Sequence, residues 1–206
     1  MNFPIPVFFI SFVLFIIFFS FRRNRQTKSQ EDANEAFLER ERLANTTRKK
    51  DISNLDYLPF VITDVPLSSH SDDELAKQTA FLQELSGKKI INLSAYSNTD
   101  LKLMYGPANL NDLTEYDDNY HMLAAALLDY AQRASELEEY DAAIAVLEYA
   151  MRLKMDSSRI YLLLAKLYQK QQTPEKIRTI EDALSQMEES FASHVLPKLT
   201  AFHNGK

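Results

Sequence analysis

The chain has no cysteine, no tryptophan and only three glycines in 206 residues. Without cysteine there are no disulfides, no thiol chemistry and no cysteine-held metal, a composition that agrees with a reducing compartment. Three glycines are too few to build a loop that cradles a phosphate. The four histidines, His70, His121, His194 and His203, are scattered, and none stands at a metal-ligand spacing. The acidic pairs Asp117-Asp118 and Glu138-Glu139 fall where linkers or turns are expected and read as solvated charge, not as a general acid and base. The net charge is −6, and no basic patch is interleaved with aromatics, which argues against nucleic acid. The expectation is a protein that is not an enzyme and uses no cofactor, no metal and no small-molecule substrate.

Charge is also missing from one long stretch. Phe3 to Phe21 is nineteen residues with no ionisable side chain and eight phenylalanines. As a helix it would be about 28 Å long, close to the roughly 30 Å hydrocarbon core of a bilayer. A helix apolar on every side suits lipid better than a half-exposed core. The run lacks a basic leader before it and a small-residue cleavage site after it, so residues 1–21 read as an uncleaved single-pass anchor. Arg22, Arg23, Arg25 and Lys28 follow at once. Basic flanks stay on the cytoplasmic side, which places the N-terminus outside and the remainder in the cytoplasm. An inverted, extracytoplasmic arrangement is the alternative.

Beyond the anchor the charge divides. Residues 22–50 carry a balance of +4 and read as a polar, largely helical juxtamembrane stalk, loosened between Gln26 and Asn34. Residues 51–206 carry −10. Residues 51–118 read as an extended segment and short helices packing on the body. Tyr57–Val65 is apolar, and Pro59 and Pro66 forbid a long helix there. This segment either binds the body together or occupies a groove from which it can be displaced. Ser71-Asp72-Asp73-Glu74 has the pattern of a capping box for a helix reaching Leu85. Asn98 or Thr99 caps a short helix through Tyr105, closed by Gly106-Pro107, and a second element at 109–114 leads into an acidic linker, Glu115–Asp118.

Residues 119–206 read as a mostly α body. Helices are expected over about 119–136, 140–154, 158–171 and 174–188, with a further helix at 190–202 interrupted at Pro197. The body compares well with itself. Leu127 to Tyr161, Ala131 to Ala165 and Ala134 to Tyr168 are each separated by 34 residues. Leu147 to Ile180, Ala150 to Ala183 and Met151 to Leu184 are each separated by 33. Alanines at 131, 143 and 150 allow paired helices to approach closely.

A 34-residue period of paired helices resembles the tetratricopeptide repeat (TPR), with two degenerate units at 124–157 and 158–190. The chain departs from the family pattern at Tyr130, where a leucine is usual, and at Met155, where a proline is usual. The resemblance implies an all-α array of helical hairpins closed by a capping helix, with a concave face that binds a protein or peptide partner. The residues it places on that face are Leu128, Gln132, Ser135, Arg159, Leu162, Lys166 and Lys170. Arg159, Lys166 and Lys170 share one helix face, so the groove would suit a carboxylate-bearing peptide. The expected role is a membrane-anchored adaptor or scaffold. The rivals are an extracytoplasmic chaperone of the same repeat class and a structural subunit of a membrane complex.

Overall fold

The computed structural model describes the backbone of residues 5–203 and the side chains of 12–16, 18, 31–200 and 202. It is mostly helical, with no strand among the described residues. The order is α1 (Ile5–Thr46), α2 (Asp73–Leu85), α3 (Asn98–Tyr105), α4 (Leu110–Glu136), α5 (Tyr140–Arg152), α6 (Ser158–Lys170), α7 (Ile177–Leu184) and α8 (Glu189–His203). Short 3-10 turns lie at Ile62–Asp64, Pro107–Asn109 and Pro174–Lys176. The described residues contain no helix long and apolar enough to cross a membrane. Most side chains of the span expected at 3–21 lie outside the described residues.

The chain divides into two compact units, residues 1–52 with 96–110 and residues 53–95 with 111–206. Residues 96–110 therefore group with α1, although the sequence places them beside the body. In this first unit α1 runs without a break through the stretch expected to be loose, 26–34. Its last turns are clasped to α3. Arg40 donates to Asp100 at 2.5 Å, and Glu41 accepts from Thr99 and, at 2.9 Å, from Lys102. The Thr99 hydroxyl first, and the Lys102 ammonium with it, hold the Glu41 carboxyl below its ordinary range. Ser97, not Asn98 or Thr99, caps α3, in a capping box with Asp100. Gly106 has φ +88, and a Cβ on it would lie 2.6 Å from the Arg48 carbonyl oxygen. Only glycine meets both conditions. Asn109 fastens the same corner by donating to the carbonyls of Lys50 and Tyr105 at 2.8 and 2.7 Å.

The second unit holds the main core. Its buried residues come from the 60–93 segment and from α4 to α8, and include Leu82, Leu127, Ala131, Ala143, Ala150, Leu164, Ala165, Ile180 and Leu199. From α5 onward the packing has a simple order. α5 meets α6 and α7; α6 meets α7 and α8; α7 meets α8. Each helix thus packs on the next and on the next but one. The turns between them reverse the chain with residues at positive φ, Glu138, Lys154 and Gln172.

Four local expectations differ from the observed structure. The acidic linker at 115–118 is the interior of α4, which begins at Leu110. Glu and Asp are compatible with a helix, and Leu113, Asn119 and Tyr120 give that stretch a buried side. The short element at 109–114 is the start of the same helix. The N-cap of α2 is Asp72, one residue after Ser71, and no capping box forms there. Asp72 wins because its carboxylate also takes a bidentate pair from Arg133, at 3.1 and 2.6 Å. Finally, α8 continues through Pro197. Pro197 and Ser193, whose carbonyl loses its helical donor, are both exposed, so water can satisfy the freed oxygen.

Candidate partner-binding face

Helix α6 has its large residues on one side. Ile160, Tyr161, Leu164, Ala165, Leu167 and Tyr168 are buried. Arg159, Lys166 and Lys170 are exposed, with Leu162 and Leu163 half-buried beside them. At 100° per residue the three cations fall within about 40° of one another, a single stripe of the helix. Arg159 and Lys166 pair with no carboxylate among the described residues. The Lys170 ammonium lies 4.2 Å from the Tyr140 ring centroid, a cation–π contact that holds it at the end of the stripe.

Helix α4 runs in the same direction as α6. Partway along α4 the Tyr120 hydroxyl donates to the carboxylate of Asp156, just before α6, and accepts the Asp156 N–H, both at 2.9 Å. At their ends Lys170 reaches Tyr140, just past α4. Of the α4 residues expected on the face, Gln132 is exposed and Ser135 is half-buried. Leu128 is 1% exposed and belongs to the core. Of the seven residues expected on the face, Gln132 and the three α6 cations are exposed, Ser135 and Leu162 are half-buried, and Leu128 is covered. The repeat resemblance gave no sign that Leu128 would be covered.

Helix α8 supplies a wall that the sequence reading did not assign. The Phe191 ring meets Tyr161 edge-on at 5.7 Å, and Gln169 donates to the Phe202 carbonyl at 2.6 Å. α8 therefore lies along α6 in the same direction. Burial raises the Tyr161 phenol well above its ordinary range, so it is neutral at any working pH.

The Tyr57–Val65 segment is extended, as expected, and ends in a 3-10 turn. Leu58 donates its N–H to the Ile90 carbonyl at 2.8 Å, and the Phe60 ring lies edge-on to Tyr149 at 6.4 Å. Three more of this strap's N–H groups find side-chain hydroxyls: Val61 on Tyr149, Ile62 on Ser86 at 3.1 Å and Ser68 on Tyr130 at 2.8 Å. Tyr130 and Gln132 lie about 160° apart around α4. With the strap in place Gln132, Arg159, Lys166 and Lys170 all remain exposed.

A separate open cleft of about 360 Å³ lies over α5, lined by Asp141, Ile144, Ala145, Glu148, Gln171, Thr173 and Lys176. Glu148 accepts from the Tyr168 hydroxyl at 2.7 Å, and the Lys176 ammonium lies 5.5 Å from the Tyr168 ring centroid. Both charges are thus engaged in packing. Among the described residues no three His, Asp or Glu side chains converge as metal ligands. The chain matches no protein family, no curated protein and no solved structure.

Proposed function

We propose that the chain is a membrane-anchored adaptor whose TPR-like helical body holds a protein or peptide partner on the face carried by α6. One observation carries this reading: three cations line up on the exposed side of α6, and two of them pair with no carboxylate among the described residues, in a body of balance −10. A surface of that kind suits a partner segment bearing carboxylates, bound through charge-assisted hydrogen bonds with Leu162 and Leu163 beneath it. The 34- and 33-residue spacings and the packing of each helix on the next and next but one support the repeat reading. The apolar run at 3–21 and the basic residues after it support the anchor and a cytoplasmic body. Confinement at a membrane would raise the local concentration of a weak binding face.

Two experiments test it. Reporters fused to the C-terminus should be active only when they require the cytoplasm; an active export-dependent reporter favours the inverted topology. Proximity crosslinking in native membranes should capture a partner, and reversing Arg159, Lys166 and Lys170 together should reduce that capture at least tenfold. Unchanged capture rejects the face.

A further inference from the structure

Helix α4 exposes a stripe of opposite charge. Glu115, Asp118, Met122, Ala125 and Asp129 follow one another at spacings of three, four, three and four, and all are exposed. Met122 keeps 46% of its surface accessible. Asp118 and Asp129 pair with no cation among the described residues. No basic residue falls on this stripe.

The two stripes match in length. Asp118 and Asp129 are 11 residues apart, and so are Arg159 and Lys170. On a helix that is about 16 Å in each case. Between its end charges the α4 stripe has Met122 and Ala125, and the α6 stripe has Leu162, Leu163 and Lys166. Because α4 and α6 run in the same direction and bury their other sides in one core, a two-fold rotation brings each against the other in antiparallel register. Asp118 then meets Lys170, Asp129 meets Arg159, Ala125 meets Leu163, and the Lys166 stem lies over Met122. The same four contacts recur on the opposite side of the axis, as an isologous interface requires.

We propose that this surface pairs two copies of the chain, α4 of one on α6 of the other. The inference goes beyond the adaptor reading but shares its cations, so a second copy and an external partner exclude each other. Exposed ion pairs are individually weak, and the pairing is salt-sensitive and reversible.

The natural absence of cysteine makes the test direct. Two differently tagged full-length chains, one carrying Ala125→Cys and the other Leu163→Cys, are mixed and treated with a short bis-maleimide. Mixed product should exceed either homotypic product at least fivefold and fall severalfold in 0.5 M salt, where the Debye length is about a third of that in 0.05 M. Asp118→Lys with Asp129→Lys in the first chain should abolish the excess. Arg159→Glu with Lys170→Glu in the second should restore it. Met122→Cys against Lys166→Cys gives an independent pair at the same register. No excess of mixed product with either pair, reversal without loss, or no recovery on the complementary swap would overturn the proposal. Asp118 lies 14 residues, about 21 Å, along α4 from Gln132, so Asp118 reversal that lowers self-pairing while partner capture persists separates the two ideas.

Discussion

The Tyr130 hydroxyl accepts the backbone N–H of Ser68 at 2.8 Å, across 62 residues of sequence. It ends the strap on α4, as Ser86 and Tyr149 hold its middle. Tyr130→Phe keeps the ring and removes the acceptor. The variant should lose about 1–2 kcal/mol of stability, the cost of leaving a part-buried donor unpaired. Equilibrium urea unfolding measures it, and an unchanged midpoint would show that water replaces the phenol.

Phe60 is the strap's largest buried side chain, 6% exposed against Tyr149. Phe60→Ala should cost about 3 kcal/mol. Because the strap leaves Gln132, Arg159, Lys166 and Lys170 open, partner capture by the folded variant should not rise. Increased capture at a temperature where the variant is folded would mean that the strap does occlude a binding face.

Asp72 joins an N-cap to an ion pair. Hydrogen bonding from Arg133, followed by that from the Leu75 N–H, holds its carboxyl well below the usual carboxylate range. A depressed native pKa contributes stability that is present above the unfolded value near 4 and is lost as pH falls below it. Asp72→Asn retains a competent cap but not the charge. Its urea midpoint should therefore lie below that of the parent at pH 7, with the gap narrowing progressively as pH falls from about 4 to 2. Parallel curves across that range would contradict the assignment.

Ala131 and Ala165 are both fully buried and occupy matching places in α4 and α6, 34 residues apart. Ala131→Leu or Ala165→Leu should each cost about 1–3 kcal/mol by overpacking. Ala125→Leu, on the exposed side of α4, should stay within about 0.5 kcal/mol. Equal effects at all three positions would remove the argument for close helix approach along the alanine seam.

Gly106→Ala should destabilise the α1–α3 clasp by more than about 1 kcal/mol, since it combines a positive φ with a backbone clash at Arg48. Hydrogen exchange at residues 40–50 should accelerate while exchange in α5 and α6 is unaltered.

What could be read from the chain depended on range. Helices α5, α6 and α7 were legible because their apolar spacing and breaks are local, and the cation stripe followed from residue numbers alone. The upstream half of α4 was not legible. Its exposed side is so acidic that Glu115–Asp118 resembles a linker, and the hydrogen bonds that stabilise it, Asn119 to the Lys89 carbonyl at 3.0 Å and Asp117 to the Leu93 N–H at 2.7 Å, reach partners 30 and 24 residues away. The choice of Asp72 over Ser71 as a cap turned on Arg133, 61 residues along. The covering of Leu128 likewise depends on which elements close over α4, and local spacing carries no information about that.

The turn between α5 and α6 has a consequence for how the second unit comes apart. Asp156 there is gripped by Tyr120 from one direction and by Asn92, at 3.0 Å, from another. A stack of hairpins that touch only their neighbours can fray from either end, one module at a time. Here the middle joint is wired to segments 36 and 64 residues upstream. Losing the contacts from Tyr120 and Asn92 strips the α5–α6 turn of its brace, so melting should be concerted, with one sharp transition in place of a staircase.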